Sequence, residues 1–479
     1  MHKILATLIV AAASITPAQA TEKPLTVMSR NLYLGADVGV AMELIPNFSA
    51  AAQFMWDQVS ATDFTKRAPV LAREVIDQNA DVIGLQEATH WYCKKNFWSK
   101  KVLVYDFTKE FLAETKNLGH EYVLASKSGV DALNIGYSIP AIPYLTMVSD
   151  PSAFQPLFGS DKAACGFEIG DALVVKKELA GSVLKVGNTE FEASYSIIPK
   201  VMTIYRGYTW ADLDYNGSKV RIVTTHLESL WDKDKVPNAA LQAQQLISDL
   251  QSTKMPLIVI GDFNSDPRDP RPDTAHNPGG QPESSQMCKN QVDEPAPATA
   301  IDTCNAYWKM VKAKFIDAGP DALDARNFSW GMSALLAGPD EKRYQAALVM
   351  GNIYGFTDRL DYIFLKNGVK VLNSKIVGNT WPDGSTWSCS NEEQVNNAAV
   401  IADAMKIDMP NSQFCNDTDH ASVVAQVLLP MSTVQSPALD SHAPFPISFW
   451  NWVGIFFLAL IAAQIVIKRR KKSSLSKGI

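Results

Sequence analysis

The sequence has no surplus of positive charge. Its 479 residues carry 44 basic and 50 acidic side chains, a formal charge of −6. That total includes Lys3 and six basic residues of the extreme C-terminus, Lys468 to Lys472 and Lys477. Without them 37 basic groups face 50 acidic ones, a charge of −13. Proteins that bind polynucleotides are usually basic over the contact face, so the balance weighs against a nucleic-acid substrate without excluding a local basic patch. Cysteine is also scarce. None of the six (Cys93, Cys165, Cys288, Cys304, Cys389, Cys415) has the close paired spacing of a thiolate zinc site. No internal repeat and no low-complexity tract is present, which excludes solenoid architectures.

Two segments stand apart from the rest. Residues 1–20 read as a secretory signal peptide: Lys3, an apolar run from Ile4 to Ile15, then Ala18-Gln19-Ala20 as a small-residue cleavage site. Ile447 to Ile467 has no charged residue and is followed by five consecutive cations. About 20 apolar residues span a bilayer and basic flanks stay in the cytoplasm. Trp450 and Trp452 sit at the other border. The reading is an exported, single-pass membrane-anchored protein: linker 430–446, span 447–467 and cytoplasmic basic tail 468–479, with the span alternatively a cleaved sorting signal. An even cysteine count outside the cytoplasm predicts disulfides, with Cys288–Cys304 the favoured pair because both lie in one polar insertion.

The sequence as a whole has the composition of a globular protein, 47% hydrophobic and 20% charged, and its body is 21–429. Leu25–Tyr33 reads as a first strand. Ala68, Leu71, Ala72, Val75 and Ile76 recur at helical spacing, predicting a helix over Phe64–Gln78. Asp81–Glu87 reads as a short strand with a carboxylate at its end. Glu121–Ala125 and Asp171–Lys176 look like strands joined by about 45 residues. That connection holds the apolar, proline-broken stretch Ile139–Leu145, a lid, a membrane-facing wedge or simple packing. Tyr208–Leu213 and Lys219–Thr225 flank Asn216-Gly217, a hairpin signal. A helix bearing Ala243, Leu246, Ile247 and Leu250 leads into Leu257–Ile260, four apolar residues without alternation, as in a strand buried on both faces. Residues 265–300 read as a Pro-rich loop. A helix near Tyr307–Phe315, a strand Arg359–Leu365, a second insertion at 374–415 and a strand Ala421–Leu429 complete the body. Alternation of helices and strands fits a layered α/β fold.

Polar groups collect at the ends of these strands: Asn31, Glu87, His226, Asp262 with Asn264, and Asp419 with His420. Asp361 lies in a sixth strand. Side chains two apart on extended chain share a face, and open α/β sheets place ligands at such ends. Each residue alone also reads as a turn or a cap.

Taken in order, Arg30-Asn31, Gln86-Glu87, Thr225-His226-Leu227, Gly261-Asp262-Phe263-Asn264, Arg359-Leu360-Asp361-Tyr362-Ile363-Phe364 and Asp419-His420 resemble the endonuclease/exonuclease/phosphatase superfamily. It includes pancreatic-type deoxyribonucleases, abasic-site endonucleases, neutral sphingomyelinases and inositol polyphosphate phosphatases. The resemblance implies a four-layer α/β/β/α sandwich of two mixed sheets and a divalent-metal phosphoesterase, Mg²⁺-dependent with Mn²⁺ or Ca²⁺ as alternatives. It implies Glu87 as main metal ligand, with Asn31 and Asp419 nearby. Asp262 would activate water, and Asn264 would hold that water or a phosphate oxygen. His226 would bond the phosphoryl oxygens, and His420 would act as general base or phosphate ligand. Asp358-Arg359-Leu360-Asp361 leaves two candidates for the carboxylate orienting His420, and Asp361 is favoured because Tyr-Ile-Phe follows it. The Pro-Ala-Trp-x-Asp-Arg signature of inositol phosphatases is absent. The expected enzyme is a monomer, and its phosphodiester substrate is a lipid headgroup or nucleic acid. A catalytically inactive surface binding protein is the rival class.

Overall fold

The computed structural model describes residues 23–198, 202–229, 238–268, 304–339, 341–381, 386–389, 391–406 and 414–430. The expected signal peptide, membrane span and basic tail, nearly all of the expected linker and most of the 265–300 loop lie outside the described residues. Among the described residues no helix is long and apolar enough to cross a membrane.

Two mixed sheets form the centre. The first runs in the order Lys370–Val377, Ser422–Leu428, Leu25–Asn31, Val82–Lys94, Lys162–Lys176, Tyr122–Leu124. Three further strands are added: Val102–Asp106 on Val82–Lys94, and Leu133–Ile139 and Met147–Ser149 on Lys162–Lys176. The second sheet runs Val183–Glu190, Gly207–Tyr215, Ser218–His226, Leu257–Asp262, Asp361–Lys366, Ile316–Asp317. Leu25, Val27, Val82, Leu173, Val423 and Val427 of the first sheet meet Val220, Ile222, Ile258, Ile260, Ile363 and Leu365 of the second in one apolar layer. The sheets come close because Gly84 has no side chain; a Cβ there would sit 2.7 Å from Thr224 Oγ1. Helices cover the outer faces. Ala68, Leu71, Ala72 and Val75 of the Phe64–Asp77 helix pack on the first sheet with Phe107 and Phe111 of the Phe107–Asn117 helix. Ala243, Leu246 and Leu250 of Asn238–Leu250, with Met310 of Ala306–Lys312, pack on Leu257 and Val259 of the second. The expected α/β/β/α layering of two mixed sheets is what the chain forms.

The alternation of the strands explains where the polar residues fall. Ile258 and Ile260 point between the sheets, and Asp262 continues their face. Val220 and Ile222 point the same way, and Thr224 and His226 follow at the same spacing. The inter-sheet layer is therefore apolar along most of its length and polar at one end. There Gln86 Nε2 donates to Thr224 Oγ1 at 2.8 Å, and Ser29 Oγ donates to Gln86 Oε1 at 3.2 Å. Asn216 and Gly217 both have positive φ, 52° and 84°, the pair of conformations that an Asn-Gly hairpin turn requires.

Three expectations need correction. The strand expected to end at Glu87 runs on to Lys94, and Asp171–Lys176 is the last part of Lys162–Lys176. The long connection between 126 and 170 is built rather than irregular, supplying Leu133–Ile139, Met147–Ser149 and the helix Pro151–Phe158. These strands gain their partners from residues distant in sequence, which local pattern does not report. Within Ile139–Leu145, Ile139 and Ile142 are half-buried, and Pro140, Tyr144 and Leu145 are exposed. Disulfides join Cys93 to Cys165 and Cys389 to Cys415. Cys304 is also disulfide-bonded, and its expected partner Cys288 lies outside the described residues.

Candidate active site

Strand register assembles half of the site. His226 pairs with Asp262 across parallel strands, and Asp262 pairs with Asp361 across antiparallel ones. The three residues therefore stand in one row on three adjacent strands of the second sheet. The first sheet supplies the other half from the end of Leu25–Asn31 and the loop before Ser422–Leu428. Asn31 Nδ2 crosses the layer to Asp262 Oδ2 at 3.2 Å. His226 and Asp262 line one cleft of about 320 Å³ together with Glu87, Arg206, Asn264, Trp330, Asp419 and His420, and Asn31 and Asp361 bond to Asp262 and His420 of that lining.

Glu87 reaches the cleft by an irregularity. Regular alternation would turn it away with Ile83 and Leu85, toward the helices. Glu87 instead has φ +53°, and the pairing with Lys162–Lys176 slips between Leu85 and Ala88. This bulge re-aims the side chain, which accepts a hydrogen bond from the Leu34 N–H.

Asp361 is the carboxylate that meets His420. Its Oδ2 lies 2.9 Å from His420 Nδ1 and accepts from Ser329 Oγ at 2.7 Å. Asp358 uses its backbone oxygen on the Ser329 and Trp330 N–H groups, and its carboxylate lies 4.0 Å from Arg268. The other nitrogen of His420, Nε2, stands 3.6 Å from Asp262 Oδ2 and 4.0 Å from Asp419 Oδ1. His226 Nδ1 lies 3.1 Å from Arg206 Nη1, and its Nε2 lies 3.4 Å from Asp262 Oδ2. A guanidinium only donates, so His226 Nδ1 is the acceptor and Nε2 carries the proton. Two imidazole Nε2 atoms thus converge on one buried carboxylate.

Burial and neighbours set the charges. Burial raises Asp262 to about 7, with His420 opposing and Asp361 reinforcing the rise. His226 is pushed well down by burial, then by Arg206 and His420, and is neutral. For His420 burial favours the neutral form, but Asp361, Asp419 and Asp262 outweigh it and hold the ring well above the usual histidine range. A protonated His420 has no free base nitrogen, so of its two expected roles the phosphate contact fits this charge state. Burial and the charge of Asp419 raise Glu87, and burial raises Asp419.

Two sets of residues can hold a cation. Ligand atoms of Asp262, Asp361 and His420 lie within 4.8 Å of one another. In that set, however, Asp361 and His420 are already bonded to each other. Glu87 and Asp419 fit better: two half-buried carboxylates on one cleft, with hard oxygen donors and no Lys or Arg within ion-pair distance of either among the described residues. Asn31 spends its Nδ2 on Asp262 and its Oδ1 on the Tyr33 N–H at 2.9 Å, so in this arrangement it positions Asp262. Asn264 donates its Nδ2 to Leu227 O and its backbone N–H to Asp262 Oδ1, both at 2.8 Å.

Several contributors had no sequence signal. Arg206 precedes a strand outside every motif, yet it lines the cleft, half-buried and 3.3 Å from Glu228. Arg30, noted only as the neighbour of Asn31, is fully buried. It binds Glu74 at 3.0 Å, Asp417 at 2.6 Å and His420 O at 2.9 Å. Arg67 ties Leu32 O, Tyr33 O and Asp417 O together at 2.7–3.0 Å. These two arginines clamp the Asn31 and Asp419 loops to the helix layer. Asp171 is a buried carboxyl behind the site, pushed well up by burial with Arg206 opposing. A charged residue on an apolar helix face or inside a buried strand is the only hint a sequence offers for such positions.

None of the curated proteins compared matches the chain. In fold it is similar to solved structures at low identity. An endonuclease/exonuclease/phosphatase family protein from Bacteroides thetaiotaomicron aligns over 85% of this chain and 98% of its own, at 13% identity and TM-score 0.41. A mannosyl-6-phosphatase from Bacteroides thetaiotaomicron aligns over 85% and 100%, at 13% and 0.39. Truncated TDP2 from Caenorhabditis elegans aligns over 85% and 97%, at 13% and 0.35. Residues 60–390, more than half of the sequence, match the family model itself, and the chain belongs to the Endonuclease/Exonuclease/phosphatase family.

Proposed function

We propose that the protein is a divalent-metal-dependent phosphodiester hydrolase, exported and anchored by its C-terminal segment with the catalytic body outside the cytoplasm. The observation that carries the catalytic reading is the convergence of His226 Nε2, His420 Nε2 and Asn31 Nδ2 on Asp262, at 3.4, 3.6 and 3.2 Å. A carboxylate raised to about 7 is matched to accept a proton from water near neutral pH. His226 and Asn31 orient it. The His420 imidazolium, held by Asp361, and the Arg206 guanidinium offer positive charge to phosphoryl oxygens as their charge grows. Glu87 and Asp419 would hold the cation, with Mg²⁺ the expected ion; when bound it supplies Lewis-acid charge to the phosphoryl group. Asn264 closes this side of the cleft by fixing the Leu227 carbonyl and the second oxygen of Asp262.

The reading is tested on the full chain with bis-p-nitrophenyl phosphate, plasmid DNA, sphingomyelin and phosphatidylinositol, each with Mg²⁺ and with EDTA. Mg²⁺-stimulated hydrolysis that EDTA abolishes is expected. Turnover unaffected by EDTA would overturn the metal dependence, and no turnover on the whole panel would point to an inactive surface protein.

A further inference from the structure

The strand that carries Glu87 outruns its neighbour. Asn31, the last residue of Leu25–Asn31, pairs with Gln86, and Val82–Lys94 continues for eight residues beyond. Its continuation stays paired with Lys162–Lys176, and the Cys93–Cys165 disulfide bridges two residues directly opposite each other. At roughly 3.3 Å per residue this wall rises about 23 Å beyond Glu87, on the side toward which the catalytic strands end. At its crest the chain turns through Lys94-Lys95-Asn96-Phe97-Trp98-Ser99-Lys100-Lys101.

The turn is held in shape. Asn96 Oδ1 accepts from the Trp98 and Ser99 N–H groups at 2.9 Å, and the Asn96 N–H donates to Ser99 Oγ at 2.9 Å. That structure holds two aromatic rings in water: Trp98 is 96% exposed and Phe97 56%. Beside them stand Tyr144, 82% exposed, whose ring lies 5.8 Å from that of Phe97, and Leu145. Four lysines flank the pair. Lys101 binds Glu168 at 2.7 Å, and Lys95 donates to Phe158 O at 2.8 Å. Lys94 and Lys100 have no acidic partner among the described residues. Behind this edge an apolar cavity of about 770 Å³ begins at Ile142 and Leu145. It ends at Val38 and Tyr137, which also line the catalytic cleft.

We infer that this crest docks on an anionic lipid bilayer. Aromatic side chains favour the membrane–water interface, and lysines at that depth gain from anionic headgroups. A basic crest on a chain whose charge without its basic ends is −13 points the crest, rather than any other face, at such a surface. The apolar cavity makes the docked edge continuous with the cleft. Docking does not depend on the phosphoesterase reading, so it is read without turnover.

The experiment follows the emission of Trp98 in the full chain, as the difference between wild type and Trp98→Ser. The protein is reconstituted into phosphatidylcholine vesicles with or without phosphatidylserine, with brominated acyl chains as quencher. The C-terminal anchor brings the body near the bilayer in both cases but does not place residue 98. Expected is a blue shift and quenching of the Trp98 component with phosphatidylserine, reversed by high salt. The Lys94→Gln/Lys100→Gln variant should weaken docking roughly thirtyfold, the share of two lysines facing headgroups. Emission of Trp98 that stays water-like on anionic vesicles overturns the inference. So does equal quenching with and without phosphatidylserine, or a response to plasmid DNA in place of vesicles. A folded, docking protein with no hydrolysis would instead leave docking standing and remove the catalytic reading.

Discussion

Replacing Asp361 with asparagine tests the site at its most specific contact. Asp361 Oδ2 holds His420 Nδ1 at 2.9 Å and Ser329 Oγ at 2.7 Å, in a fully buried position. Asparagine keeps the shape but not the charge. If its oxygen faces the ring, the imidazolium loses an ionic partner; if its amide faces the ring, Nδ1 must become an acceptor and the imidazolium cannot form. Either way His420 is less often protonated. Loss of a positioned proton-transfer or charge-stabilising group costs about 10²–10⁴ in rate, or roughly 3–5 kcal/mol of barrier. Asp361 is the foremost of three carboxylates that raise His420. Removing it lowers that pKa, so the alkaline limb of kcat should move to lower pH. Asp358→Asn is the control, because it leaves the backbone bonds to Ser329 and Trp330 and the His420 contact untouched. The assay is bis-p-nitrophenyl phosphate hydrolysis across pH with Mg²⁺, with thermal melts to verify folding. A folded Asp361→Asn protein of near-full activity, or an equal loss from Asp358→Asn, would refute the reasoning.

Glu87→Gln should lower Mg²⁺-dependent activity by about a hundredfold or more yet raise the Tm measured in EDTA, because it removes one of two half-buried like charges. The Tm gain that Mg²⁺ gives wild type should vanish with it. Cys93→Ser/Cys165→Ser opens a cross-link of sequence separation 72 and should cost about 4 kcal/mol in denaturant unfolding. Thiol titration of unreduced, denatured wild type should then find fewer than six thiols. His90 is raised by its bond to Asp106, against burial. A raised histidine stabilises fully below its ordinary pKa of about 6.5 and loses that contribution as pH climbs through the folded value. His90→Asn should flatten the fall in Tm on the alkaline side of about pH 6.5. Arg30→Met leaves Glu74 and Asp417 buried without their shared cation and should destabilise by about 3–5 kcal/mol in the same unfolding measurement.

Much of this molecule was determined by local sequence. The uninterrupted apolar run Leu257–Ile260, the spacing of Ala68, Leu71, Ala72 and Val75, and Asn216-Gly217 each dictate an element through short-range periodicity or φ preference. Six short motifs in order located Glu87, His226, Asp262, Asn264, Asp419 and His420 at the cleft, with Asn31 and Asp361 bonded to them, because strand ends are where a sandwich leaves polar side chains room. Tertiary structure decided what no local pattern encodes. Register across three strands chose Asp361 over Asp358 as the partner of His420. A bulge, visible only through pairing with Lys162–Lys176, turned Glu87 into the cleft. Arg206, Arg30 and Arg67 became part of the site through hydrogen bonds that span 20 to 390 residues of chain. The charge state of His420 follows from three carboxylates meeting there. Such fields are sums over neighbours in space, and the sequence lists neighbours only along the chain.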